Sequence, residues 1–323
     1  MPDVPDRGKP RAEILLAFAA VYVLWGSTYL AIRIGVETIP PFLLAGLRHL
    51  TAGVILYAWV RGTKRAPGPE PRHWRSAALV GGLLLLGGNG LVTWAEQRVP
   101  SGLAALIVAS VPLWMTLIDA VLSRQRPHGV LLAGLAMGLS GIAFLAAPGR
   151  FAGGGRVDPL GAAALLTAAL LWAIGSLVSR RVALPSSTLL ATAMEMVAGG
   201  AILLTVAGVS GEIGRVSLAA VSARSVLALG YLIVAGSLLG FSAYIFLLGA
   251  TTPARVSTYA YVNPVVAVFL GWLVAGEGVT PRTLVAAAVI VASVALIIRH
   301  GASRPAARTE EDVAPLLAEG GRR

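Results

Sequence analysis

Apolar residues run along this chain in long blocks, and polar residues are confined to short gaps between them. Ten blocks are long enough to cross a bilayer, over residues 14–35, 41–60, 76–96, 102–122, 129–147, 160–178, 188–208, 225–248, 256–275 and 283–299. A helix needs about 20 apolar residues to span roughly 30 Å of hydrocarbon. Lipid offers the backbone no hydrogen-bond partner, so each block is predicted to be a helix. The expected fold class is an all-α integral membrane protein with ten transmembrane helices.

The blocks also repeat. Leu24-Trp25 precedes Arg33 by the spacing at which Leu171-Trp172 precedes Arg180, and Gly53 has its match near Gly199. Ser110-Val111-Pro112 matches Val262-Asn263-Pro264. Five spans per copy is an odd number, so the second copy must insert upside down. The predicted domains are two inverted five-helix repeats, 14–147 and 160–299, joined by a linker over 148–159 and flanked by tails over 1–13 and 300–323. In such a molecule the site lies between the halves near the midplane, and the halves alternate between outward- and inward-open arrangements.

Composition agrees with the pattern. The chain is 56% hydrophobic and 13% charged, whereas a soluble domain carries roughly 25% charge. It has no cysteine, which excludes disulfides and thiolate metal sites. The net charge of +11 does not imply nucleic acid, because the basic residues sit at the ends of spans. With the N-terminus inside, 18 Lys and Arg fall in inner segments and six in outer ones. Both termini are therefore expected to be cytoplasmic. The N-terminal tail resembles a signal-peptide n-region, but Ala17-Phe18-Ala19 comes too early in the first span for cleavage. The polar tail from Gly301 is expected to be disordered. The expected partners are the lipid bilayer and a small-molecule substrate, and Gly134-x-x-x-Gly138 and Gly236-x-x-x-Gly240 leave a homodimer open.

Candidate chemistry lies inside the spans. Ionisable residues deep in lipid are costly and mark a pathway or a pairing. Arg48, His49 and Glu96 are read as an outer gate or substrate network, and Arg33 as a snorkelling end residue. Glu195 has no cation at its depth in the sequence and is read as a proton carrier. Pro112 and Pro264 should free the carbonyls of Val108 and Ala260 and bend their helices toward a wet pathway. Trp25, Ser27, Tyr29, Asn89, Trp94, Trp172, Tyr244, Tyr261 and Asn263 carry π faces or polar handles at depth and are expected to line a substrate cavity. The bland alternatives are a structural ion pair, ordinary proline kinks, and aromatic belts with helix packing.

An enzyme finds little support. Gly138-Leu139-Ser140-Gly141 matches the serine motif of intramembrane rhomboid proteases, but three of the four histidines lie in loops or at a membrane end. No H-E-x-x-H occurs, and neither Lys9 nor Lys64 follows the glycine spacing of a phosphate loop. No cofactor is expected.

The landmarks in series resemble the EamA-type permeases of the drug/metabolite transporter superfamily, and within them the YedA-like bacterial inner-membrane permeases. The likeness rests on Leu24-Trp25-Gly26-Ser27-Thr28-Tyr29, Gly46-Leu47-Arg48, Gly88-Asn89-Gly90, Ala95-Glu96 and Val99-Pro100-Ser101-Gly102. In the second half it rests on Tyr259 to Ala267 and on Gly276-Glu277. The resemblance implies export or exchange of small metabolites, often amino acids or related compounds and sometimes drugs, through a central cavity between the halves. The superfamily's phosphate-carrying members should hold lysine in the cavity, and here no Lys lies in any span. A non-transporting membrane scaffold or sensor on the same fold is the alternative reading.

Overall fold

The computed structural model describes residues 11–63, 67–122, 129–146, 158–251, 256 and 258–301. Every regular element among them is helical. Most of both predicted tails and of the linker lie outside the described residues, as do Lys64, Arg65, Arg124, Arg126 and Arg255.

The helices follow the predicted blocks. They are α1 (Arg11–Gly35), α2 (Pro41–Gly62), α3 (Pro71–Ala95), α4 (Ser101–Leu122) and α5 (Gly129–Ala146). The second half holds α6 (Pro159–Ser179), α7 (Thr188–Val209), α8 (residues 223–250), α9 (Tyr259–Ala275) and α10 (Pro281–Gly301). Among the described residues seven helices, α1 to α4 and α6 to α8, are long and apolar enough to cross a membrane. The other three contain shorter apolar stretches, Leu132–Leu145, Tyr259–Ala275 and Pro281–Leu296.

Local chemistry sets where the helices begin. The first N–H groups of a helix lack intrahelical acceptors, so proline fits there and short polar side chains cap it. Pro41, Pro71 and Pro159 open α2, α3 and α6. Asp158 Oδ1 accepts from Gly161 N–H (2.7 Å), and Ser222 Oγ from Ser225 N–H (3.1 Å).

Two helices depart from regular α geometry in the same way. α3 is π-helical over Gly82–Gly90, and α8 over Leu232–Leu239. These are the third helices of the two predicted repeats. A π segment widens the helix, re-aims its side chains and often marks a functional site. α4 departs differently: it breaks at Ala109-Ser110 into Ser101–Val108 and Val111–Leu122. The interruption lies between Val108, whose carbonyl Pro112 leaves without its usual N–H partner, and Pro112 itself. The proline sits in the first turn of the second half, where its missing N–H costs nothing. Pro264 stays inside a continuous α9.

Packing between helices runs through glycine. A Cβ on Gly200 of α7 would come within 2.5 Å of Leu50 N in α2, and one on Gly53 of α2 within 2.7 Å of Val197 N. α5 meets α10 at Gly138 and Gly141, against Ser293 and Ile290. α1 meets α9 at Gly26, against Val266 and the Asn263 carbonyl. Lipid supplies no hydrophobic drive between helices, so close backbone approach at small residues holds such bundles together. The main pairings are unchanged when the halves are exchanged: α2 with α7, α5 with α10, α1 with α9 against α6 with α4, and α3 with α6 against α8 with α1. Leu79, Val54, Phe269, Trp272 and Val285 face outward.

Candidate functional site

Arg48 and His49 are consecutive on α2, so their side chains diverge by about 100° around the helix. Each reaches a π segment from a different half. Arg48 Nε–H donates to Ser237 Oγ in α8 (3.0 Å), and His49 Nε2 pairs with Asn89 Oδ1 in α3 (3.1 Å). Gly236 lets the guanidinium lie close, since a Cβ there would come 3.1 Å from Arg48 Nη2. One turn of α2 is thus clasped by both widened helices. Arg48 and His49 are 5% and 2% exposed.

Glu96 ends α3 and is completely buried. Half-buried Arg33 donates to its backbone carbonyl, which ties the end of α1 to the end of α3. The Glu96 carboxyl lies in electrostatic reach of Glu277, Arg33, Arg48 and Tyr29. Neither of its oxygens accepts a hydrogen bond among the described residues.

Buried polar atoms are normally paired in more than about 90% of cases. Among the described residues the unpaired ones are concentrated in the spans: Arg48 Nη1, His49 Nδ1, both Glu96 oxygens, Ser110 Oγ, Trp114 Nε1 and Asn263 Oδ1. Three of them flank the two intramembrane prolines. Ser110 precedes Pro112, Trp114 follows it, and Asn263 precedes Pro264. Donors and acceptors left open at these depths suit waters or a polar solute between the helices.

The remaining candidates are dispersed. Trp25 forms an aromatic cluster with Phe241, Tyr244 and Tyr259, its ring centroid 5.1 to 5.3 Å from theirs. Its Nε1–H donates to the Gly236 carbonyl (3.1 Å), beside the Arg48 contact. Ser27 pairs with the Tyr231 hydroxyl (2.6 Å). Trp172 packs elsewhere, against Gly88 of α3. Tyr261 is half-buried two residues before buried Asn263. Glu195 is half-buried on α7, and no ion pair to it forms among the described residues. Trp94 lies under Arg98, whose guanidinium sits 4.4 Å from the ring. It lines an open cavity of about 350 Å³ with Glu37, Pro40, Gln97, Glu212 and Arg215. Glu212 there accepts from Leu43 N–H (2.9 Å) and caps α2. Burial pushes its carboxyl above the usual range, opposed by the Leu43 and Phe42 N–H groups and by Arg215.

Sequence reasoning missed Ser237 and the roles of Ser110, Trp114 and Glu277. Glycine clusters at 87–90 and 236–240 were the only signal near the π segments.

The EamA-like transporter family model matches this chain twice, over residues 11–147 and 159–299. The chain belongs to that family. The inner membrane transporter YedA of Escherichia coli (strain K12) is 43% identical over 285 residues, covering 87% of this chain and 89% of the relative. A protein of Streptantibioticus cattleyicolor named as a probable terminal-alkyne amino-acid exporter is 27% identical over 295 residues, covering 91% and 96%. A crystal structure 22% identical in sequence superposes with a TM-score of 0.60, covering 88% of this chain and 97% of that one, and shows a shared fold. With its apolar helices and this membership, the chain is a multi-pass membrane protein of a transporter family.

Proposed function

We propose that this chain is a secondary permease or exporter of the bacterial cytoplasmic membrane. It moves small metabolites, amino acids or related amphipathic compounds or drugs, by alternating access between two inverted five-helix repeats. The seven long helices and three shorter apolar ones are read as ten crossings with both termini cytoplasmic. The exchange symmetry of the helix pairings and the matched π segments support the paired repeats. The inverse orientation follows from five spans per half.

One observation carries the functional reading. Buried donors and acceptors without a partner among the described residues are drawn from α2, α4 and α9 and from the end of α3, helices of both halves. A scaffold or sensor gains nothing from leaving them open, because each costs about 1–3 kcal/mol. A carrier fills them with substrate and water. Arg48, His49, Asn89 and Asn263 would orient a polar group, and Trp25 with Tyr244 would bound an apolar one. The named amino-acid exporter among the relatives supports an amino-acid-like class.

The test is counterflow in proteoliposomes with a panel of radiolabelled amino acids, alongside resistance of expressing cells to toxic analogues. Exchange of at least one compound, lost in Arg48→Gln, supports the reading. No exchange of any panel member by correctly inserted protein favours the scaffold.

A further inference from the structure

Glu277 joins two parts of the chain that the family model assigns to different matches. α9 ends at Ala275, and Gly276 turns the chain back in the left-handed region (φ +64°), where a side chain would be strained. Glu277 N–H then donates to the Gly271 carbonyl (3.0 Å), which returns the residue over the end of α9. Its carboxylate faces the start of α4. Oε1 accepts from Ser101 N–H (2.7 Å) and Ser101 Oγ–H (2.8 Å), and Oε2 from Gly102 N–H (3.0 Å). A carboxylate is well placed there, because the first N–H groups of α4 have no acceptor of their own and carry the positive end of the helix dipole.

The helix ends come close together beneath these bonds. A Cβ on Gly102 would come 2.9 Å from the Val268 Cα, and one on Gly271 would run into Glu277 Oε2 and come 3.1 Å from Ser101 Oγ. The two helix ends approach closely at Gly102 and Gly271, and Val268 of α9 packs against the buried cluster that contains Leu106 and Ile107 of α4. Glu212 makes the contrasting contact. It also caps a helix of the first half, at Leu43, but α2 is seated along α7 by Gly46, Gly53 and Gly200. Both helices held by Glu277 also carry buried polar atoms without a hydrogen-bond partner among the described residues, on Ser110 and Trp114 of α4 and on Asn263 of α9.

We propose that Glu277 is a releasable latch, whose carboxylate holds the α4 and α9 ends of the two repeats together and whose release opens that end of the bundle. The proposal rests on the alternating-access reading above. It gives a role in the conformational cycle to three charge-assisted bonds that cross from one match of the family model to the other.

The chain has no cysteine, so spin labels at Gln97→Cys and Gly278→Cys, both exposed positions, report the joint directly in reconstituted full-length protein. Glu277→Gln replaces one acceptor oxygen by an amide that faces N–H donors. The ratio of separated to closed populations should rise about tenfold, the effect of losing one strong charge-assisted bond. Ser101→Ala removes one donor of three and should give a smaller shift in the same direction; it decides the matter alone if Glu277→Gln fails to insert. Glu212→Gln should leave the distribution unchanged. An unchanged distribution in the inserted Glu277→Gln and Ser101→Ala proteins overturns the latch and leaves Glu277 a static cap. Equal separation in Glu212→Gln overturns it too. The readout is a distance, so it stands whether or not the counterflow panel finds a substrate.

Discussion

A guanidinium taken out of water needs its donors filled, and at Arg48 the Nε–H is filled by Ser237 while Nη1 has no acceptor among the described residues. Lysine carries the charge but not the planar fork. Arg48→Lys should therefore lower substrate exchange about tenfold or more and also lower the midpoint of thermal unfolding in detergent, the loss of one buried bond being worth about 1–3 kcal/mol. Both are measured on one preparation by counterflow and by a melting curve. Asn263 tests the pathway without charge. Asn263→Leu keeps apolar volume and removes an unpaired acceptor, so stability should hold or rise while exchange falls; unchanged exchange kinetics would remove Asn263 from the pathway. Glu195 tests coupling. Glu195→Gln keeps the shape and cannot titrate, so proteoliposomes should lose uphill accumulation driven by a pH gradient and keep downhill exchange. Persistent uphill transport would leave Glu195 a structural residue.

Among the helices, function and packing meet where α2 lies on α7. Gly200 presents its backbone to Leu50, one residue beyond His49. A Cβ there would meet backbone atoms at 2.5 and 2.8 Å, and backbone cannot rotate away. Gly200→Ala should cost about 1–3 kcal/mol by overpacking and displace the Arg48-His49 turn, so exchange should fall with stability. Gly208→Ala, on the same helix, meets only Ile213 Cδ1 at 3.6 Å and should be tolerated in the same melting assay. The π segments were not legible in the sequence, because a π turn has no distinct hydrophobic period and glycine clusters occur throughout these spans. The break in α4 was half legible. Pro112 announced a disturbance, and the break falls in the turn just before it, where a proline removes an N–H and crowds the carbonyl four residues back; that the helix ends there and restarts, and does not merely bend, was visible only in the structure.

At the scale of the molecule, the charge pattern makes a topological claim that chemistry can check. Thr63 closes α2 on the side where basic residues accumulate, and it is exposed. Thr63→Cys should resist a membrane-impermeant thiol reagent in intact cells and react in inverted vesicles; labelling in intact cells would reverse the orientation. The repeat behaves as one unit in the packing. Pairings of α2 with α7 and α5 with α10 bring equivalent helices face to face, and those of α1 with α9 and α4 with α6 are exchanged by the same operation.

The helices, the membrane class and the family were determined by the sequence alone. Lipid leaves an apolar segment of span length no alternative to the helix, and the landmarks recur in order along one dimension. The sequence also singled out Arg48, His49, Asn89 and Glu96, since a polar group in an apolar block stands out without any structure. Only the tertiary structure decided which of them meet. Ser237 lies 189 residues from Arg48, and Glu277 lies 176 from Ser101. Spans that are apolar on every side carry no amphipathic signal to say which face turns inward. Trp25 and Trp172 looked equivalent in sequence, yet one closes an aromatic cluster and the other packs on Gly88. Partners so distant are chosen by close backbone approach at glycine, and that contact exists only once the helices have assembled.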